Sequence, residues 1–147
     1  MQAFDFMTKN PACGQVDSTM REIARMMVEH DCGLIPIVDA ENRPVGVITD
    51  RDISCRVVAQ DLDPNRALAR DHMTSPPVTV TMRDSLGHCC RTMEEYMIRR
   101  LPVVDDYMCC VGIIAQADIA RKSEPDELTH VLKEISTPTA PSARTTS

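Results

Sequence analysis

Gly46-Val47-Ile48-Thr49-Asp50-Arg51-Asp52-Ile53 is the stretch on which the fold turns. A glycine followed by a β-branched run reads as a strand entering a crowded place. Thr49 is positioned to cap a helix that begins at Asp50, its hydroxyl accepting from an amide the first turn leaves unpaired. The hydroxyl of Thr49 and the carboxylate of Asp52 therefore stand beside the positive end of a helix dipole, where a ligand's oxygens and hydroxyls can be held. Most strand-to-helix junctions only cap their helix, and that reading stands beside the binding one.

The junction occurs twice. Shifting the sequence along itself by 66 positions lays Gly112-Ile113-Ile114-Ala115-Gln116-Ala117-Asp118-Ile119 over it without a gap. The same register pairs Asp5 with Asp71, Met7-Thr8 with Met73-Thr74, Pro11 with Pro77, Met27 with Met93, Pro36 with Pro102 and Val38-Asp39 with Val104-Asp105. The chain is an internal duplication, and two units are too few for a solenoid, so they must bury their apolar faces on each other.

A chain of 147 residues with 43% hydrophobic content is long enough for one compact domain, or for two half-domains sharing a core. It has no tryptophan, two tyrosines and two phenylalanines, so Val, Ile, Leu and ten methionines must fill that core. Methionine packs adaptably there. The formal charge of -6 argues against a nucleic-acid partner, which needs a concentrated positive surface. Met1 to Phe6 lack the basic region and apolar core of a signal peptide. No apolar run approaches the roughly 20 residues that span a bilayer, and the expected compartment is the cytoplasm.

Seven cysteines lie at 13, 32, 55, 89, 90, 109 and 110, with no Cys-x-x-Cys. In a reducing compartment a buried thiol acts as a small hydrophobe, and the repeat sets Cys90 against Ala24. A zinc site wants four ligands at recognisable spacing, whereas His88-Cys89-Cys90 would project in different directions from a helix. Cys109 and Cys110 fall at a predicted turn, where they are expected to be exposed and open to oxidation.

In chain order, Phe4 to Thr8 is a short lead-in, matched by Ala69 to Thr74. Pro11 opens an extended segment to about Val16. Thr19 and Glu22 fit a capping box, and Met20, Ile23, Ala24 and Met27 recur on one helical face as far as His30. Leu34 to Val38 reads as a buried strand, Asp39 to Pro44 as a turn, and Val45 to Ile48 as its hairpin partner. The helix from Asp50 carries Ile53, Val57 and Val58 inward and ends near Gln60. Repeat 1 thus spans 3–60, a polar linker 61–68, and repeat 2 69–125. In repeat 2, Val78-Thr79-Val80 is extended, Asp84 or Ser85 caps, and Leu86, Cys90, Met93 and Met97 form the buried helical face. Leu101 to Val104 and Cys110 to Ile114 form its hairpin. A further amphipathic helix is expected over 126–135, and the Ser, Thr, Pro and Ala content of 136–147 is that of a disordered tail.

The succession of Met-Thr, strand, amphipathic helix, Ile-Pro-Ile-Val-Asp or Leu-Pro-Val-Val-Asp, and Val-Gly-Val-Ile-Thr-x-x-Asp-Ile resembles the CBS domain, here as a tandem pair, the Bateman module. The likeness runs from about residue 3 to residue 122. With no catalytic domain attached, the chain resembles a small stand-alone bacterial CBS-pair protein, similar to the hypoxic response protein group of mycobacteria. The resemblance implies an α/β fold, two β-α-β-β-α repeats packed about a pseudo-twofold axis with two equivalent clefts, and pairing of whole modules into disc-shaped homodimers. It also implies an adenosine-containing ligand: AMP, ADP, ATP or S-adenosylmethionine. Carried over by position, Asp52 would take the ribose hydroxyls and Thr49 the ribose or phosphate. Cys13 with the Pro11 segment, and Ile35 with Pro36, would flank the adenine. An ionised carboxylate suits a vicinal diol because it accepts two charge-assisted hydrogen bonds.

The two clefts are not expected to be alike. The second keeps Asp118 but has Ala115 where the first has the Thr49 hydroxyl. Some nucleotide-binding members of the family hold phosphate with basic residues before the Leu-Pro strand, and only repeat 2 has them, as Arg99 and Arg100. Across the pseudo-twofold contact these would reach the first cleft; alternatively they pair with Asp105, Asp106 or a dimer neighbour. A weaker or empty second site is expected at Asp118, Thr79, Leu101 and Pro102. No glycine-rich phosphate loop or nucleophile-base set supports an enzyme, no cofactor or metal is implied, and His30, His72, His88 and His130 lie at unrelated spacings. The alternatives to a ligand sensor are a homodimeric interaction scaffold with vestigial clefts, acting through a protein partner, and a cysteine-based redox or metal sensor.

Overall fold

Thr19 caps α2 (Met20–His30) as its sequence predicts: its hydroxyl accepts from the Glu22 amide, and the Glu22 carboxylate accepts from the Thr19 amide. Met20, Ile23 and Met27 face inward from this helix, with Ala24 half-buried. The computed structural model describes residues 1–122; the expected helix over 126–135 and the tail over 136–147 lie outside the described residues. The elements before α2 are α1 (Ala3–Phe6) and β1 (Thr8–Lys9). After it come β2 (Leu34–Val38), β3 (Pro44–Thr49) and α3 (Asp50–Asp52), which continues as a π-helix over Ile53–Val58. The second repeat supplies α4 (Ala69–His72), β4 (Val80–Thr81), α5 (Leu86–Tyr96), β5 (Arg100–Val104), β6 (Cys110–Ala115) and α6 (Gln116–Lys122). Among the described residues no helix is long and apolar enough to cross a membrane.

Each repeat builds an antiparallel hairpin, with Leu34 opposite Thr49 in one and Arg100 opposite Ala115 in the other. A parallel pairing adds the extended segment, as Gly14 beside Ile37 in the first repeat and Val80 beside Val103 in the second. The remaining pairings cross between repeats. β1 joins β6 with Thr8 opposite Ile113, and Thr74 stands likewise opposite Val47. Gln2 pairs with Ser85, and Leu68 with Thr19. Each lead-in therefore closes the other repeat rather than its own.

The core follows this exchange. One apolar cluster joins Ala3, Phe6 and Met7 to Val80, Leu86, Met93, Leu101, Val103 and Ile114; the other joins Ala69 and the flanking Met73 to Met20, Ile23, Ile35, Ile37, Ile48 and Val57. Two cores result, each completed by a segment from the other half, instead of a single shared one. Gly46 and Gly112 permit the crossing, since a Cβ on either would lie 3.0 Å from the backbone oxygen of Thr74 or Thr8 and 2.5 or 2.4 Å from the sulfur of Met73 or Met7.

Two packing expectations are corrected. Val58 points to solvent, 66% exposed, while Val57 is fully buried. The bonds from the Ala59 amide to the Ser54 carbonyl and from Leu62 to Val57 span five residues, and this wider winding turns Val58 off the face that an α-helix would give it. In α5 Leu86, Gly87, Cys89, Thr92 and Met93 are buried, and Cys90 is half-buried against the core. Met97 is 82% exposed because the helix ends before it and Met97 takes the left-handed C-cap conformation, φ 54°.

Candidate functional site

The end of β3 and the first turn of α3 set the acid and hydroxyl of the first cleft. The Thr49 amide donates to Asp52 Oδ2 at 2.9 Å, and the Asp52 amide to Thr49 Oγ1 at 3.2 Å. This reciprocal pair fixes both side chains before any ligand arrives. Arg56 Nε stands 3.6 Å from Asp52 Oδ1, too far for a strong hydrogen bond, so that oxygen keeps capacity for a donor. The Thr49 hydroxyl accepts the cap bond and retains its proton to give.

Around them lies a cavity of about 610 Å³, within the range of small-molecule sites. Its other wall comes from the second repeat: Thr74, Val78, Met97, Ile98, Arg99, Arg100 and Pro102. Arg99 and Arg100 thus share a cavity with Thr49 and Asp52. Arg100 Nη2 is 3.8 Å from Asp50 Oδ1, whereas Asp106 is held by Arg83 at 3.0 Å and Asp105 accepts from the turn amides of Tyr107 and Cys109.

A second cavity, of about 520 Å³, surrounds Ala115 and Asp118. Its opposite wall is Thr8 to Ala12 with His30 to Leu34. The two linings correspond through the 66-residue register: Val47 to Ile113, Thr49 to Ala115, Asp52 to Asp118, Thr74 to Thr8, Val78 to Ala12 and Ile98 to Cys32. The Asp118 carboxylate is 12% exposed, close to the 15% of Asp52, but it is bound directly by Arg121. Ala115 offers no hydroxyl.

The exchanged lead-ins also exchange the expected flanks. Pro11 lines the Asp118 cavity, not the Thr49 one, and Pro102 lines the Thr49 cavity, not the Asp118 one. Cys13, Ile35 and Pro36 line neither cavity, and nor do Thr79 and Leu101. Ile35 and Leu101 are wholly buried in the two cores. Sequence reasoning missed Thr74, Val78 and Ile98 for the same reason. The signal available was the lead-in before each repeat, whose partner strand lies in the other half.

The thiols divide by burial. Among the described residues no disulfide joins any of the seven cysteines. Cys110 is buried rather than exposed at the turn, because β6 begins with it and its amide donates to the Asn42 carbonyl at 2.8 Å. The Cys110 thiol is pushed far up by its hydrogen bond to Cys13 and by burial, and the same bond holds Cys13 below the ordinary thiol range. Among the described residues no group of three or more His, Cys, Asp or Glu side chains is placed to hold a metal ion.

The CBS domain family profile matches residues 3–58 and 69–124. Hypoxic response protein 1 of Mycobacterium tuberculosis is 35% identical over 138 residues, covering 94% of this chain and 96% of that protein. A crystal structure of Hypoxic Response Protein I with two coordinated zinc ions superposes with a TM-score of 0.77, covering 84% of this chain and 100% of that one. A CBS domain protein from Pyrobaculum aerophilum complexed with AMP, 27% identical, gives a TM-score of 0.81 over 90% of this chain and 99% of that one. A CBS domain pair in complex with 5′-methylthioadenosine and S-adenosylmethionine, 30% identical, gives 0.75 over 82% and 94%.

Proposed function

We propose, for a chain that belongs to the CBS domain family as a tandem pair, a non-catalytic regulatory role in the cytosol: binding an adenosine-containing ligand in the cleft that Thr49 and Asp52 line. The observation that carries the reading is the preset pair itself. Asp52 is tied to the Thr49 amide through Oδ2, leaving Oδ1 for a ribose diol, while Arg99 and Arg100 stand across the same cavity where a phosphate would lie. Structural relatives complexed with AMP or S-adenosylmethionine support the ligand class. Ligand binding would act by favouring one arrangement of the two halves over another, which a partner then reads. The exposed apolar side chains Val28, Tyr96 and Met97 at the two long helices suit the expected homodimer.

The test is a thermal-shift panel of AMP, ADP, ATP and S-adenosylmethionine on the wild type and Asp52→Ala. One of the four raises the unfolding temperature of the wild type and not of the variant. No shift with any of them would sink the reading and leave the scaffold role.

A further inference from the structure

Leu34 and Arg100 occupy the same position of the two repeats, 66 residues apart. Among the described residues they alone line both cavities. The point where the two clefts meet is therefore filled on one side by an apolar side chain and on the other by a guanidinium. That guanidinium is incompletely engaged. Its Nη1 is buried without a hydrogen-bond partner, and its Nη2 is 3.8 Å from Asp50, beyond hydrogen-bond reach. It fits there because residue 33 is glycine: a Cβ at Gly33 would lie 2.1 Å from Nη1.

A buried donor with no acceptor is costly, so an anion reaching it from either cleft gains a charge-assisted bond and relieves that cost. Of the cations that line the clefts, only this guanidinium reaches both. In the second cleft the other strong cations are already engaged, Arg121 by Asp118 and Lys9 over the Phe4 ring at 4.4 Å. In the first, Arg51 and Arg99 add to Arg100. A phosphate in the first cleft thus takes the shared group, and a second phosphate would face Leu34 and a like charge.

Resting on the adenosine-ligand reading above, we infer that Arg100 serves both clefts in common, so that each chain takes one phosphorylated adenosine ligand and refuses a second. The test is calorimetric titration of the full chain with AMP and with adenosine, for the wild type, Arg100→Met and Leu34→Arg. The wild type takes one equivalent of AMP, about tenfold or more tighter than adenosine, as one charged hydrogen bond warrants. Arg100→Met cuts the preference for AMP over adenosine about tenfold or more and leaves adenosine unchanged. Leu34→Arg, where its unfolding remains cooperative, gives each cleft its own guanidinium and admits a second AMP. Two similar AMP equivalents in the wild type would overturn the inference. So would an AMP preference undiminished by Arg100→Met, or a folded Leu34→Arg that still takes one. Should Leu34→Arg not fold, wild-type stoichiometry and Arg100→Met decide. If adenosine and AMP both fail to bind the wild type, the underlying ligand reading falls, and this one with it.

Discussion

Laid over one another, the two clefts share a backbone and differ in their chemistry. Both have a strand entering a helix at an aspartate, both are closed by the other repeat's lead-in, and both cross a glycine at a methionine sulfur. One then has a hydroxyl at Thr49 and a carboxylate oxygen to spare on Asp52; the other has Ala115 and an Asp118 already taken by Arg121. A duplicated frame holds its shape through apolar and main-chain contacts that recur in both halves. The few polar side chains facing the cavity are free to diverge because the frame does not depend on them.

The sharpest way to break this contrast is to remove the acids one at a time. Asp52→Ala should weaken adenosine-ligand binding about 100-fold, the loss of two hydrogen bonds to a charged acceptor. Asp118→Ala should leave that same binding within about twofold. Equal losses on calorimetric titration would mean the clefts are equivalent after all. The shared frame is tested next, through stability. Gly46→Ala and Gly112→Ala should each cost about 1–3 kcal/mol in denaturant unfolding, because the added methyl meets a methionine sulfur and a backbone oxygen. A marked difference between the two would show that the halves are not held alike. The smallest effect is a gain. Ala115→Thr should strengthen binding in the Asp118 cleft by about 2–10-fold, the worth of one neutral hydrogen bond. No change would place the second cleft's deficit with Arg121 instead.

The repeat made the fold legible. Its ungapped register, together with caps such as Thr19 and Thr49, identifies the helices and hairpins, since these depend on residues near in sequence. The hydroxyl and acid of the first cleft were readable on the same ground, being three residues apart on one turn. What escaped was non-local or conformational. Thr8 pairs with Ile113 through main-chain groups common to every residue, so no side-chain pattern announces that lead-ins trade places. Pro11, just after the traded β1, lines the Asp118 cleft for that reason. The outward turn of Val58 comes from five-residue hydrogen bonds that leave no compositional trace, and Met97 adopts a left-handed cap without the glycine that usually signals one.

The traded lead-ins also bear on how the chain can be divided. A fragment cut at the 61–68 linker would keep α1 and β1 but lose the β6 edge they seal, and would itself lack Ala69, Met73 and Thr74. Half the molecule is thus an open unit whose missing piece is the counterpart of one it already carries. Two copies of either half can satisfy each other in the way the native halves do, so fragments made separately should self-associate, and mixing them should reconstitute the parent.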